Sequence, residues 1–125
     1  MNDNELSGEI IGAAIEVHRA LGPGLLESIY EQALVMELVD RGLTVSEQVE
    51  VRLAYKGRPL SGLLRLDILV NDLVVVEIKA VERVLSVHEA QLLSYLRLSN
   101  KKLGLLINFN VSVLTKAVRR IVNHL

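Results

Sequence analysis

The chain has no cysteine and no tryptophan, and its 125 residues include one phenylalanine and three tyrosines. Without cysteine it can form no disulfide, no thiolate-held iron–sulfur cluster and no structural zinc site of the usual kind. Three histidines, His18, His88 and His124, argue against a histidine-rich metal site. Proline is rare, with two residues, and no repeat, low-complexity run or Pro/Ser-rich linker divides the chain. One domain spanning residues 1–125 is expected. No stretch approaches the roughly 18 uninterrupted apolar residues of a membrane span, because Arg65, Asp67, Glu77 and Lys79 interrupt the richest region. The opening Met1-Asn2-Asp3-Asn4-Glu5 is acidic and polar, which is no secretory signal, so a cytoplasmic protein is expected. Charge of one sign is also missing: 14 basic and 15 acidic residues leave a formal net charge of −1. That balance lacks the basic excess common among nucleic-acid-binding proteins.

What is present is aliphatic. Half of the residues are hydrophobic, mostly Leu, Val and Ile, enough to fill a core and to exclude disorder. Leu6, Ile10, Ala13, Ala14, Val17 and Leu21 recur at helical spacing over residues 5–21, and Gly22-Pro23-Gly24 marks a turn. A second helix is predicted from about Leu25 to Asp40, ended by Gly42. Alternation from Thr44 to Tyr55 predicts a strand, and Lys56-Gly57-Arg58-Pro59 a turn. Leu63–Val70 and Val74–Ala80 read as strands joined through Asn71-Asp72. Ser86-Val87-His88-Glu89 has the pattern of a capping box opening a helix to about Leu98. A strand from Leu103 to Phe109 and a helix from about Ser112 to Asn123 complete the order. The sum is an α/β (α+β) fold with a mixed sheet flanked by helices on both faces.

The polar residues of the central hairpin constrain its register. Along a strand, Glu77 and Lys79 share one face, as do Arg65 and Asp67. A strict two-residue turn would set Asp67 opposite Val76 and drive charges into the core, at several kcal/mol each in order of magnitude. Shifting by one places Asp67 opposite Glu77 and Arg65 opposite Lys79, and leaves Leu66, Ile68, Val70, Val74, Val76 and Ile78 as an aliphatic face. That register requires an odd-length loop or a bulge near Asn71–Leu73. It also brings two carboxylates together, an arrangement that repels unless a proton or a divalent cation intervenes. Such a pair suits Mg²⁺, and Lys79 could then stabilise charge on an attacked phosphate. The acidic-x-Lys triplet alone occurs by chance about once in a chain of this size, so a surface ion pair is the competing reading.

Three further groups flank this hairpin. Glu27, Tyr30 and Glu31 lie at i, i+3 and i+4, and read either as a solvated stripe or as a polar face projecting together. His88, Gln91 and Tyr95 form a second stripe on the following helix, and His18 lies one turn before Gly22. Lys116, Arg119 and Arg120, with Lys101 and Lys102, make a basic end that reads as a solvated face or a phosphate contact.

Taken in order, these segments resemble a known family. Gly24-Leu25-Leu26-Glu27-Ser28-Ile29-Tyr30 resembles the motif of the GxxExxY proteins, a bacterial and archaeal group in the PD-(D/E)xK nuclease superfamily. The similarity extends through residues 17–24, Arg65-Leu66-Asp67, Val76-Glu77-Ile78-Lys79-Ala80, residues 87–96 and Leu105–Asn110, nearly the whole chain. Leu64 stands where relatives often carry an aromatic residue. The resemblance implies a restriction-endonuclease-like α-β-β-β-α-β core with extra N- and C-terminal helices. It implies that Asp67 and Glu77 bind Mg²⁺, with Mn²⁺ as a substitute and Glu27 as a further ligand. Lys79 would position or activate the attacking water, and Gln91 and Tyr95 would lie near metal or substrate. His18, Tyr30, Arg65 and His88 join Tyr95 as expected substrate contacts.

The function expected is a Mg²⁺-dependent nuclease, cleaving phosphodiester bonds of DNA or RNA with water as nucleophile. The alternative is a catalytically inactive nuclease-fold module that binds nucleic acid or a protein. The small core and aliphatic surplus also point to a homodimer.

Overall fold

The two N-terminal helices follow from their caps and spacing. In the computed structural model, which describes residues 1–124, α1 runs Asp3–Leu21. The Asn2 side chain caps it by accepting the Glu5 N–H at 2.8 Å, and Asp3 and Glu5 complement the helix dipole. Gly22, at φ 70, ends it in a conformation that favours glycine. Helix α2 (Glu27–Asp40) buries Tyr30, Leu34 and Leu38. Arg41 ties the two helices together by pairing with Glu37 on α2 and Glu9 on α1, at 3.0 and 3.1 Å.

Five strands follow in spatial order β1-β2-β3-β4-β5: Val45–Tyr55, Arg58–Val70, Val74–Lys79, Leu103–Asn108 and Val118–Val122. Helix α3 (Ser86–Ser99) is the crossover that makes β3 and β4 parallel, while the other pairings are antiparallel. Helices α1 and α2 cover one face over a core that includes Ile10, Leu34, Ile68, Val70, Val74, Val76, Ile78 and Ile107. On the other face, Leu92 and Leu96 of α3 pack on Leu66, Leu69, Val75 and Leu106. The fold is thus α+β with a mixed sheet between helices. Among the described residues no helix is long and apolar enough to cross a membrane.

The shifted hairpin register is the one observed. Val70 pairs with Val74, Leu69 with Val75 and Ile68 with Val76, around the three-residue loop Asn71-Asp72-Leu73. Asn71 and Asp72 take positive φ, and the Asn71 side chain accepts the Thr44 N–H.

Four expectations are corrected. The C-terminal helix is replaced by a single 3₁₀ turn, Leu114–Ala117, and by β5. Strand β4 is buried along its length, so its outer edge needs a backbone partner, and β-branched Val118, Ile121 and Val122 supply one. The aliphatic face is not continuous either, because the sheet changes sides at Asp67. Gln48, opposite it on β1, has a left-handed φ of 48, and cross-strand pairing skips both residues. Before this point Leu64 and Leu66 join the α3 core, and after it Ile68 and Val70 join the α1/α2 core. Third, Arg65 does not face Lys79: its partner is Glu50 on β1, at 3.6 Å, whereas Lys79 pairs in register with Asn108. Fourth, β2 begins at Arg58 rather than Leu63, since only Lys56-Gly57 forms the turn.

Candidate active site

Strand β3 is central and buried on both faces, and Glu77 lies within it at 7% exposure. Beyond the Ile68–Val76 pair the β2–β3 ladder stops, and side chains take over its hydrogen bonds. Glu77 Oε1 accepts the Asp67 N–H at 3.2 Å, and Asp67 Oδ2 accepts the Ile78 N–H at 2.9 Å. This exchange fixes both carboxylates side by side where the two strands part. Burial, then the nearby Asp67 charge, pushes the Glu77 carboxyl up to about 9, while the Lys79 charge opposes the shift. Lys79, two residues on and half-buried, shares Glu77's strand face and makes no ion pair among the described residues.

Other elements converge on this pair. From α3, the Gln91 Nε2 donates to the Tyr95 hydroxyl at 2.8 Å. The Tyr95 phenol is shifted up by burial and then by the charge of Glu77, which places it close to the carboxylates. From α2, Glu31 accepts the Gln48 amide with both oxygens at 3.1 Å. Its carboxyl is raised by burial, with smaller contributions from Asp67, Glu47 and Glu27. Glu27, exposed at the first position of α2, accepts the Ala80 N–H at 3.4 Å.

The expected three-carboxylate ligand set is not assembled. Among the described residues no group of three His, Asp or Glu side chains is arranged to hold a metal ion. Glu27 stays at the rim on a backbone N–H, which avoids adding a third like charge to Asp67 and Glu77. The donor set nonetheless fits a hard cation. Two adjacent carboxylates, one nearly buried, carry an ionisation cost that a divalent ion offsets, and Mg²⁺ needs only one or two protein carboxylates.

The remaining expected residues have structural partners. Tyr30 is fully buried and stacks on Phe109 at 4.6 Å. Its hydroxyl donates to the Gly22 carbonyl and accepts the Leu25 N–H, pinning the α1–α2 loop, so it presents no surface to a substrate. His18 Nε2 lies 2.7 Å from the Val111 carbonyl oxygen and links α1 to the segment after β4. His88 Nδ1 accepts the Leu85 N–H at 2.9 Å. The helix cap is thus built on Leu85 and His88, one residue ahead of the expected Ser86–Glu89 box, because an imidazole nitrogen can replace the usual carboxylate acceptor. The guanidinium of Arg65 is engaged with Glu50 at the surface.

Two residues of the site were not singled out in the sequence. Asn108 is buried at the end of β4, where its Oδ1 accepts the Val81 and Asn110 N–H groups and its Nδ2 donates to the Val81 carbonyl. An amide inside the apolar run Leu103–Phe109 was the available signal. Gln48 gave none, because its left-handed backbone turns on its place opposite Asp67.

A mixed sheet with this acidic pair and lysine at the end of its central strand defines a restriction-endonuclease-like α+β domain. A family model of the PD-(D/E)XK nuclease superfamily matches residues 4–121, and the chain belongs to that superfamily. No curated protein and no solved structure shows significant similarity to it.

Proposed function

We propose that the chain is a Mg²⁺-dependent nuclease of the GxxExxY type, acting as one domain and hydrolysing phosphodiester bonds of DNA or RNA in the cytoplasm. The observation that carries this reading is the reciprocal bonding of Asp67 and Glu77, with Lys79 on the same strand face. Asp67 and Glu77 would hold the cation, Mg²⁺ or Mn²⁺ in its place, with Glu27 as an outer ligand. The chemistry such an ion supplies is charge neutralisation at the phosphate and a lowered pKa for water. Lys79 brings an ammonium with no ion-pair partner among the described residues to stabilise negative charge developing on the phosphate and to orient the nucleophilic water. The linked Gln91 and Tyr95 side chains offer polar contacts to the reacting group from α3. His18, Arg65 and His88 are assigned to the substrate's periphery, each already holding one protein partner. Leu26, Ile29 and Met36, exposed on and before α2, support a homodimer, which sedimentation at tens of micromolar tests.

The second reading, a nuclease fold without catalysis, draws on the burial of Glu77 and the lack of a three-ligand group. Calorimetry at millimolar Mg²⁺ and cleavage assays on single-stranded, double-stranded and branched substrates separate the two. Metal binding, and cleavage that Lys79→Ala abolishes, support the nuclease. Cleavage that Lys79→Ala leaves unchanged, or no metal binding, counts against it.

A further inference from the structure

The outer half of the β1–β2 hairpin has no part in the acidic site. Residues 54–63 are all exposed, although the strands remain paired as far as Tyr55–Arg58. Neighbouring residues of a strand point to opposite faces, so exposure of every one means that no helix covers either face. The hairpin therefore projects beyond the layers as a free two-stranded ribbon. Its tip is a tight turn with Lys56 at φ 49 and Gly57 at φ 78, the geometry that matches the natural strand twist. Between Arg52–Leu63 and Ala54–Pro59 the register shifts, with Leu60, Ser61 and Gly62 bulging opposite Leu53, and such bulges bend a ribbon.

The ribbon also carries cations with no carboxylate of its own beside them. Residues 51–64 contain Arg52, Lys56 and Arg58 and no carboxylate, in a chain of net charge −1. None of the three makes an ion pair among the described residues, whereas Lys101 and Arg119 pair with Asp72 and Glu89. Lys56 instead lies 5.4 Å from the centre of the Tyr55 ring, which leaves its charge available at the tip.

We propose that this ribbon is a DNA-binding arm that enters the major groove of a B-form duplex and holds the phosphates on its walls with Arg52, Lys56 and Arg58. The inference rests on the nuclease reading and adds to it a substrate class, duplex DNA. A major groove about 12 Å wide admits a two-stranded ribbon into an undeformed duplex, whereas the minor groove at about 6 Å would first have to be opened at an energetic cost. The deep, narrow major groove of duplex RNA excludes it as well. Exposed Tyr55 and Leu60 supply apolar surface for base edges. Asp67 stands at the root of the same strand, about nine residues from Arg58. At about 3.3 Å per residue that is at most roughly 30 Å, shortened by the Leu60–Gly62 bulge, which is within one duplex turn, so arm and site can engage one molecule.

The test is fluorescence anisotropy of the full chain with a labelled 30-base-pair duplex, without divalent metal, across a salt series. The Arg52→Ala/Lys56→Ala/Arg58→Ala variant should bind at least about tenfold more weakly at low salt. Its slope of log affinity against log salt should fall by about 2–3, near 0.9 for each phosphate that is no longer neutralised. The Arg52→Lys/Arg58→Lys variant should restore most of the slope. If the triple variant does not fold, Lys56→Glu at the turn carries the same test. Unchanged affinity and slope overturn the arm, and an equal weakening on duplex RNA overturns its assignment to the B-form groove. Disrupted self-association with DNA binding intact assigns the arm to protein contacts and overturns the proposal. Cleavage with Mg²⁺ is read separately. A chain that cleaves but binds independently of the arm refutes only the arm, and one that binds through the arm without cleaving refutes only the nuclease.

Discussion

Lys79 is the residue on which the proposed chemistry turns, and its surroundings make its role separable from stability. It is half-buried at the end of β3, its ammonium has no ion-pair partner among the described residues, and the main chain beneath it is held by the Phe109 N–H at 2.9 Å. Lys79→Ala should therefore leave the melting temperature nearly unchanged while lowering the cleavage rate by about 10²–10⁴-fold, the usual worth of one positioned electrostatic or proton-transfer group. Single-turnover rates alongside thermal melts measure both. Asn108 is the opposite case. Its amide satisfies three backbone groups around Val81 and Asn110 in a buried position, so Asn108→Ala leaves those groups unpaired. The expected cost is on the order of 2–4 kcal/mol, read in urea unfolding. Because Asn108 sits beside Lys79 in register, activity should fall with it.

At the scale of elements, α3 is held close against β4, and Gly104 sets the separation. A Cβ built there would meet Leu92 side-chain carbons at 3.0–3.1 Å, closer than a relaxed contact. Gly104→Ala should thus push α3 outward and cost about 1–3 kcal/mol by overpacking. Since α3 carries Gln91 and Tyr95, the same change should weaken their contribution at the site, seen as lower activity at temperatures where the protein is still folded. Elements with one clear burial pattern were legible in the sequence: α1 from its helical spacing, and the β2–β3 register from the alternation that sets Asp67 beside Glu77, although the sheet buries Glu77 rather than exposing it. Elements whose form depends on distant partners were not. The Val118–Val122 segment contains apolar residues compatible with a helix, and only the unpaired edge of β4 makes it a strand. Pro59 and Gly62 disguise the start of β2, because propensity disfavours both in strands. Within the site, the acidic pair was visible in the strand alternation. The burial of Tyr30 was not, since it depends on Phe109, far along the chain in a different element.

For the whole molecule, the acidic site should couple stability to pH and, on the proposed reading, to metal. The Glu77 carboxyl binds its proton more tightly in the folded chain, at about 9, than at the ordinary value of 4.5. A group raised on folding contributes its full stabilisation below the unfolded value and loses it as pH rises through the folded one. Stability from this group should therefore decline steadily from about pH 4.5 to about pH 9, since ionising Glu77 beside Asp67 inside the sheet is unfavourable. Glu77→Gln keeps a carbonyl oxygen to accept the Asp67 N–H and removes the charge. The variant should match the wild type near pH 4.5 and exceed it at pH 8–9 by on the order of 1–3 kcal/mol. Urea unfolding of both proteins across this range isolates the contribution, because other titrating groups cancel in the difference. A difference that stays flat with pH, or that reverses sign, would show that Glu77 is ionised in the folded chain without cost. Millimolar Mg²⁺ should close the gap at pH 8 by stabilising the wild type alone, since binding the ion requires the carboxylate that Gln lacks. Near-neutral net charge then conceals two opposed regions: an acidic pair that a bound cation should stabilise, and a basic ribbon whose cations make no ion pair among the described residues.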